Sequence, residues 1–103
     1  MTPNQQEPVE SSVPTLMLFV TGDAPRSLRA QTNLAAALKK LGCEAITPLQ
    51  VDLLEHPEQS VSYSVFATPA LLRTKRDGMI TTIYGDLSDE RKLLDFLAPV
   101  AQG

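Results

Sequence analysis

Cysteine occurs once in the 103 residues, at Cys43, and tryptophan does not occur at all. A single thiol excludes an internal disulfide, and it equally excludes the Cys-x-x-Cys pair of dithiol redox proteins and of many zinc sites. His56 is the one histidine. No second imidazole or thiolate stands at ligand spacing from it, so neither a metal nor a cofactor is expected. Basic charge is also scarce: nine Lys plus Arg stand against twelve Asp plus Glu, a net charge of -3 at pH 7. Neutralising phosphates takes a basic face, so nucleic acid is not the expected partner. The longest aliphatic-aromatic run, Leu16 to Val20, is far shorter than the roughly 20 residues a membrane-spanning helix needs. No membrane association is expected. The first basic residue is Arg26, which leaves no positive flank for a targeting leader and makes the cytoplasm the expected compartment.

What remains is the composition of an ordinary globule, with 43% hydrophobic and 20% charged residues, in a chain long enough for one core. Residues 1–14, MTPNQQEPVESSVP, hold three of the eight prolines and read as a disordered tail ahead of a single domain over residues 15–103. Glu7 and Glu10 fall in that tail. The domain itself is therefore close to neutral.

Thr15 to Val20 is apolar without alternation, the pattern of a central strand covered on both faces. After the turn Thr21-Gly22-Asp23-Ala24-Pro25, a helix is expected from about Arg26, capped by Asp23 or Ser27. Leu28, Leu34, Leu38 and Leu41 would form its apolar side, with Ala30, Ala35, Ala36 and Ala37 permitting close packing. Lys39 and Lys40 suit its C-terminal dipole and Gly42 its stop. Glu44 to Val51 alternates, and Pro48 confines it to a sheet edge. Strand, helix and strand then form a right-handed parallel unit. A short helix follows near Pro57 to Tyr63, then a strand from Phe66 to Leu72, a hairpin turn over Arg73 to Gly78, and a strand from Met79 to Tyr84. Ser88 would cap a last helix whose apolar face is Leu93, Leu94, Phe96, Leu97 and Val100.

The order β-α-β-α-β-β-α, with a mixed four-stranded sheet and about three helices, is that of the α/β thioredoxin-like fold. The Thr68-Pro69 step fits it, because a proline opening the third strand there is commonly cis and faces the start of the first helix. The turn at that helix start carries no nucleophile, so disulfide exchange through a dithiol is excluded. Cys43 lies past the other end of the helix, where the dipole disfavours a thiolate, and reads as a small junction residue. His56 reads as a solvated or helix-capping residue, and Arg73, Lys75 and Arg76 as a solvated turn. Arg26 and Arg29 lie one turn apart at the N-terminal end of the first helix, an unfavourable place for positive charge that fits either a binding role or exposed arginines with no role. The edge strand around Pro48, which includes Leu49 and Gln50, could receive another strand or a partner helix, or Pro48 could be the device that prevents such pairing.

These residues resemble the KaiB family of circadian clock proteins, over approximately Leu16 to Leu97. The likeness rests on LFVTGDAPRSLRAQTNL, VDLLEHPEQ, FATPALL and IYGDLSDERKLL, taken in that order and spacing. The resemblance implies a non-enzymatic regulator that binds a hexameric, two-lobed ATPase of the KaiC type and modulates its phosphorylation cycle. It also implies a thioredoxin-like binding-competent monomer and a tetrameric ground state with a rearranged C-terminal half. By position, Arg29 matches a basic residue at the ATPase interface, and Gly85 and Asp86 lie in the segment governing the change of fold. The expected partner surface is thus Arg26, Arg29, Leu49 and Gln50, and the expected fold-determining residues are Pro69, Gly85 and Asp86. A homodimer or homotetramer is compatible with the apolar edge strand and final helix.

Three stretches depart from the family pattern. Leu49 replaces a basic residue, Ser60-Val61-Ser62-Tyr63 replaces an acidic stretch, and Thr74 to Gly78 replaces a proline-rich loop. The last favours a plain hairpin and hence a chain that rests in the thioredoxin-like state. The competing reading is a redox-inactive adaptor in stress response or signalling that has kept the fold and changed its partner.

Overall fold

The computed structural model describes residues 16–75 and 78–101. The expected tail over residues 1–14 and the hairpin tip at Arg76 and Asp77 lie outside the described residues. The elements are β1 (Leu16–Val20), α1 (Pro25–Lys40), β2 (Leu49–Asp52), α2 (Glu58–Ser62), β3 (Ala70–Thr74), β4 (Ile80–Tyr84) and α3 (Glu90–Ala101). They build one four-stranded sheet in the order β2-β1-β3-β4, with β1 parallel to β2 and antiparallel to β3.

Every residue of β1 is buried, because the strand has neighbours on both edges, α1 and α3 on one face and Leu53, Tyr63 and Val65 on the other. Leu16, Leu18 and Val20 face α1 and α3, where they pack with Leu71, Ile83, Ala30, Leu34, Ala37, Leu38, Leu93 and Leu97. Met17 and Phe19 face the other way, into a smaller core with Val51, Val65, Ala70 and Leu72 that Tyr63 and Leu53 close. Strand alternation divides the run between two cores.

α1 opens with Pro25 in its first turn and has no side-chain cap. Proline needs no hydrogen-bond partner there. The expected capping by Asp23 or Ser27 is therefore corrected: Ser27 is 1% exposed and its Oγ accepts the Thr21 N–H at 3.1 Å. The buried stripe is Ser27, Ala30, Leu34, Ala37 and Leu38. Leu28 is instead 45% exposed, since it stands about 100° around the helix from Ser27. At the far end Gly42 has φ +74, its N–H donates to the Lys39 carbonyl, and the Cys43 N–H donates to that of Leu38 at 2.7 Å. This is a Schellman stop, and it seats Cys43 against the larger core.

Three other boundaries differ from expectation. β2 begins at Leu49, not Glu44, because the chain turns through Glu44 and Ala45 and Pro48 has no N–H to pair. β3 begins at Ala70, after a cis Thr68-Pro69 peptide, and Phe66 is left 86% exposed. Asp89 rather than Ser88 caps α3: its Oδ1 accepts the Lys92 N–H at 3.1 Å, while the Ser88 N–H is held by Asp86 Oδ1. Arg73 belongs to β3, not to the hairpin turn. It is half-buried, donates from Nη1 to the Phe96 carbonyl and lies over the Phe96 ring.

Candidate partner interface

Four rows of side chains run along α1. Ser27, Ala30, Leu34, Ala37 and Leu38 form the buried one. On one flank Arg26, Arg29 and Asn33 face the turn that follows β4. Arg29 Nε donates to Asp86 Oδ2 at 3.2 Å, Asn33 Nδ2 donates to the Asp86 carbonyl at 2.9 Å, and an Arg26 nitrogen lies 3.7 Å from where a Gly85 Cβ would stand. Gly85 has φ +110 and Leu87 has φ +63. A buried leucine in that region is strained, so this turn is held by its contacts rather than by local preference. The Ser88 side chain and backbone and the Arg29 guanidinium hold the Asp86 carboxyl below its ordinary value, against a smaller opposing effect of desolvation.

On the other flank Gln31, Ala35 and Lys39 border an open groove of about 370 Å³. Its floor is Leu18, Leu34 and Leu38, and its far wall is Glu44, Ile46, Thr47, Pro48 and Gln50, so one carboxylate already stands at its rim. Leu28 continues the same helical row, by i, i+3 and i+7 spacing, towards the N-terminal end. The solvent face between the two flanks carries the small Thr32 and Ala36 and, one turn further on, Lys40, whose Nζ pairs with Glu90 at 2.7 Å. α1 contains Arg26, Arg29, Lys39 and Lys40 and no carboxylate. It is a cationic helix on a chain whose net charge is -3.

The expected partner residues do not form one patch. Gln50 pairs with Leu18 and shares the α1 side of the sheet, whereas Leu49 pairs with Met17 and stands on the α2 side. Arg29 and Asp86, expected to serve different ends, form an ion pair. Pro69 is buried in the loop facing the start of α1, where Thr68 Oγ1 hydrogen bonds Thr21 Oγ1. Sequence reasoning missed Asn33, although it stands one turn beyond Arg29. It also missed Asp52, whose Oδ1 accepts the N–H groups of Gly22 and Leu54 at 3.0 and 2.9 Å. Those backbone donors hold its carboxyl below the ordinary value, and an aspartate two residues ahead of an N–H it binds is a readable turn signal. His56 lies beside Glu58 at 3.7 Å, and no metal-ligating cluster is found among the described residues.

Residues 17–99 match the family model described as the KaiB domain. The chain belongs to the KaiB family. It is 32% identical over 79 residues to the circadian clock oscillator protein KaiB of Gloeothece citriformis, covering 77% of this chain and 74% of that protein. It is 34% identical over 80 residues to the KaiB of Prochlorococcus marinus, covering 77% and 67%. Among solved structures, the N-terminal domain of Synechococcus elongatus SasA superposes with a TM-score of 0.66 at 17% identity, covering 100% of this chain and 93% of that one. The thioredoxin Deadhead of Drosophila melanogaster gives 0.66 at 17%, covering 89% and 87%. At such identity these structures establish the thioredoxin-like fold alone. This KaiB-family chain has that fold without a cysteine at the turn Gly22 to Pro25.

Proposed function

We propose that this chain is a non-enzymatic clock-type regulator that binds a hexameric KaiC-type ATPase and modulates its phosphorylation and ATPase cycle. The observation that carries the reading is α1 itself, a helix with no carboxylate on which Arg29 and Lys40 are paired with Asp86 and Glu90 while Arg26 and Lys39 add further positive charge, bordered by a mostly apolar groove. Such a surface fits an acidic partner face with one protruding apolar side chain: charge steers the encounter and the groove supplies the buried contact. Arg26 and the groove residues Ala35 and Gln50 are the contacts; Arg29 contributes charge while anchoring Asp86. Leu49 lies on the other face of the sheet and belongs outside this surface.

Co-elution of the full chain with a purified KaiC-type hexamer tests the reading. Ala35→Glu places a carboxylate at the groove on an exposed helical position, and is expected to weaken binding at least 10-fold without loss of fold. Arg26→Ala is expected to weaken it less and to flatten its salt dependence. Arg29→Ala also breaks the ion pair with Asp86 and is the less clean variant. One feature favours the adaptor reading, an exposed apolar Leu49 where the family resemblance implies a basic residue. A folded parent chain that leaves the hexamer unbound would favour that reading.

A further inference from the structure

The two edges of the sheet are built differently. In β2 the Leu53 N–H donates to the Val20 carbonyl, so by alternation the backbone groups of Leu49 and Val51 face β1 while those of Gln50 and Asp52 face outward. Pro48 precedes this strand, and the Asp52 carbonyl at its end already accepts the Glu55 and His56 N–H groups. Both ends of that edge are thereby closed to a further strand. At β4 no such device is present. Its sequence Ile80-Thr81-Thr82-Ile83-Tyr84 contains no charge, proline or glycine, and no strand lies beyond it among the described residues.

The β4 ladder fixes which groups are open. Gly85 N–H donates to the Pro69 carbonyl and Lys75 N–H to the Met79 carbonyl, in a register that sets Leu72 opposite Thr82. Alternation in an antiparallel pair then turns the backbone groups of Thr81 and Ile83 towards β3 and those of Ile80, Thr82 and Tyr84 outward. N–H and carbonyl groups thus line the edge at every second residue. The side chains of the same three residues stand on the α2 side of the sheet, where Ile80 is 44% and Tyr84 43% exposed. Tyr84 Oη accepts the Phe66 N–H at 3.4 Å and donates to the Ser64 carbonyl at 3.5 Å, which ties its ring to the loop that carries the exposed Phe66.

We propose that this edge receives an extended segment of another protein as a fifth strand, antiparallel to β4. The chemistry of the edge selects that occupant. An extended peptide offers carbonyls and N–H groups at the same two-residue repeat that Ile80, Thr82 and Tyr84 present, and main-chain pairing of this kind supplies affinity while alternate side chains supply selectivity. In the segment those alternate side chains fall beside Ile80, Thr82 and Tyr84, where β-branched residues are favourable cross-strand neighbours. Lys75 is exposed at the Ile80 end of the edge. Antiparallel pairing brings the C-terminal end of the segment there, so a carboxylate at that end completes the match. β2, which borders the α1 groove, is the opposite edge of the sheet, and the two sites are therefore separate.

NMR of the full chain titrated with the peptide acetyl-Val-Thr-Val-Thr-Val-Asp-amide, to about 5 mM, tests this on the scale of weak complexes. The amides of Ile80, Thr82 and Tyr84 are expected to gain protection from hydrogen exchange, while those of Thr81 and Ile83, already in the β3 ladder, change little. N-methylation of the second and third valines, whose N–H groups face β4 in this register, is expected to weaken binding at least about 10-fold. N-methylation of the two threonines, whose N–H groups face away, is expected to leave it within about 2-fold. Thr82→Pro removes one outward N–H without touching the β3 ladder and is expected to abolish binding, whereas Thr82→Ala keeps that N–H and the binding with it. The peptide comparison is made on the parent chain and does not depend on the proline variant folding. Unchanged exchange at Ile80, Thr82 and Tyr84 at about 5 mM peptide, or equal weakening by the two methylation patterns, would overturn the proposal. So would protection of the same amides in the protein alone that rises with its concentration, which would assign the edge to a second copy.

Discussion

Arg73 donates from Nη1 to the Phe96 carbonyl at 2.9 Å and lies 5.1 Å from the Phe96 ring centroid, so one side chain ties β3 to the last helix. Its buried Nε finds no acceptor among the described residues, a local cost that the charge-assisted bond offsets. Arg73→Ala is expected to lower unfolding free energy by about 1–3 kcal/mol, and Arg73→Lys by nearly as much, because an ammonium cannot reproduce the flat stacking of a guanidinium. Denaturant unfolding at constant m-value measures both. Asp52 and Asp86 act through hydrogen bonds to their charged forms. Both have folded-state values below the ordinary 3.8, so the native state binds protons less readily than the unfolded chain. The stability they contribute is fully present above that ordinary value and is lost as pH falls through the lower folded-state values. Asp52→Asn is expected to flatten the acid side of the pH-stability curve while leaving its slope near neutrality unchanged. Arg29 and Asp86 stand 57 residues apart in sequence, and nothing in either neighbourhood announces the other. That ion pair could be seen only once the fold had brought the β4 turn to α1.

At the level of elements, local pattern carried most of the information. The unbroken apolar run of β1, the Gly42 stop and the Pro48 edge were readable because each rests on a backbone constraint that tertiary packing does not override. Helix starts were less so. Ser27 has a capping residue's chemistry, yet it lies inside the helix and is consumed by Thr21 N–H, and Ser88 yields the α3 cap to Asp89. Asp, Ser and Thr in adjacent positions are interchangeable as caps until the entry angle of the chain is known. Asp89→Ala is expected to cost about 1 kcal/mol and Ser88→Ala much less, by thermal or denaturant unfolding. The interface suffered from the opposite problem. Leu49 and Gln50 are neighbours in sequence, but a strand sends them to opposite faces, and strand alternation alone should have separated them.

Across the whole molecule, the sheet has a protected edge at β2, beside the cationic helix, and an unprotected one at β4. The family and its thioredoxin-like fold were legible because four short segments in order are enough to specify them. The groove was not, since it is formed by Leu18 of β1, Ala35 of α1 and Pro48 of the loop ahead of β2 and no local motif marks it. The central claim is that α1 docks on a KaiC-type hexamer, and light scattering on the full chain mixed with that hexamer tests it most directly. The account predicts a complex heavier than the hexamer for the parent chain, weakened by salt and lost in Ala35→Glu. A folded parent chain that leaves the hexamer's mass unchanged, or an Ala35→Glu variant that binds as tightly as the parent, would contradict it.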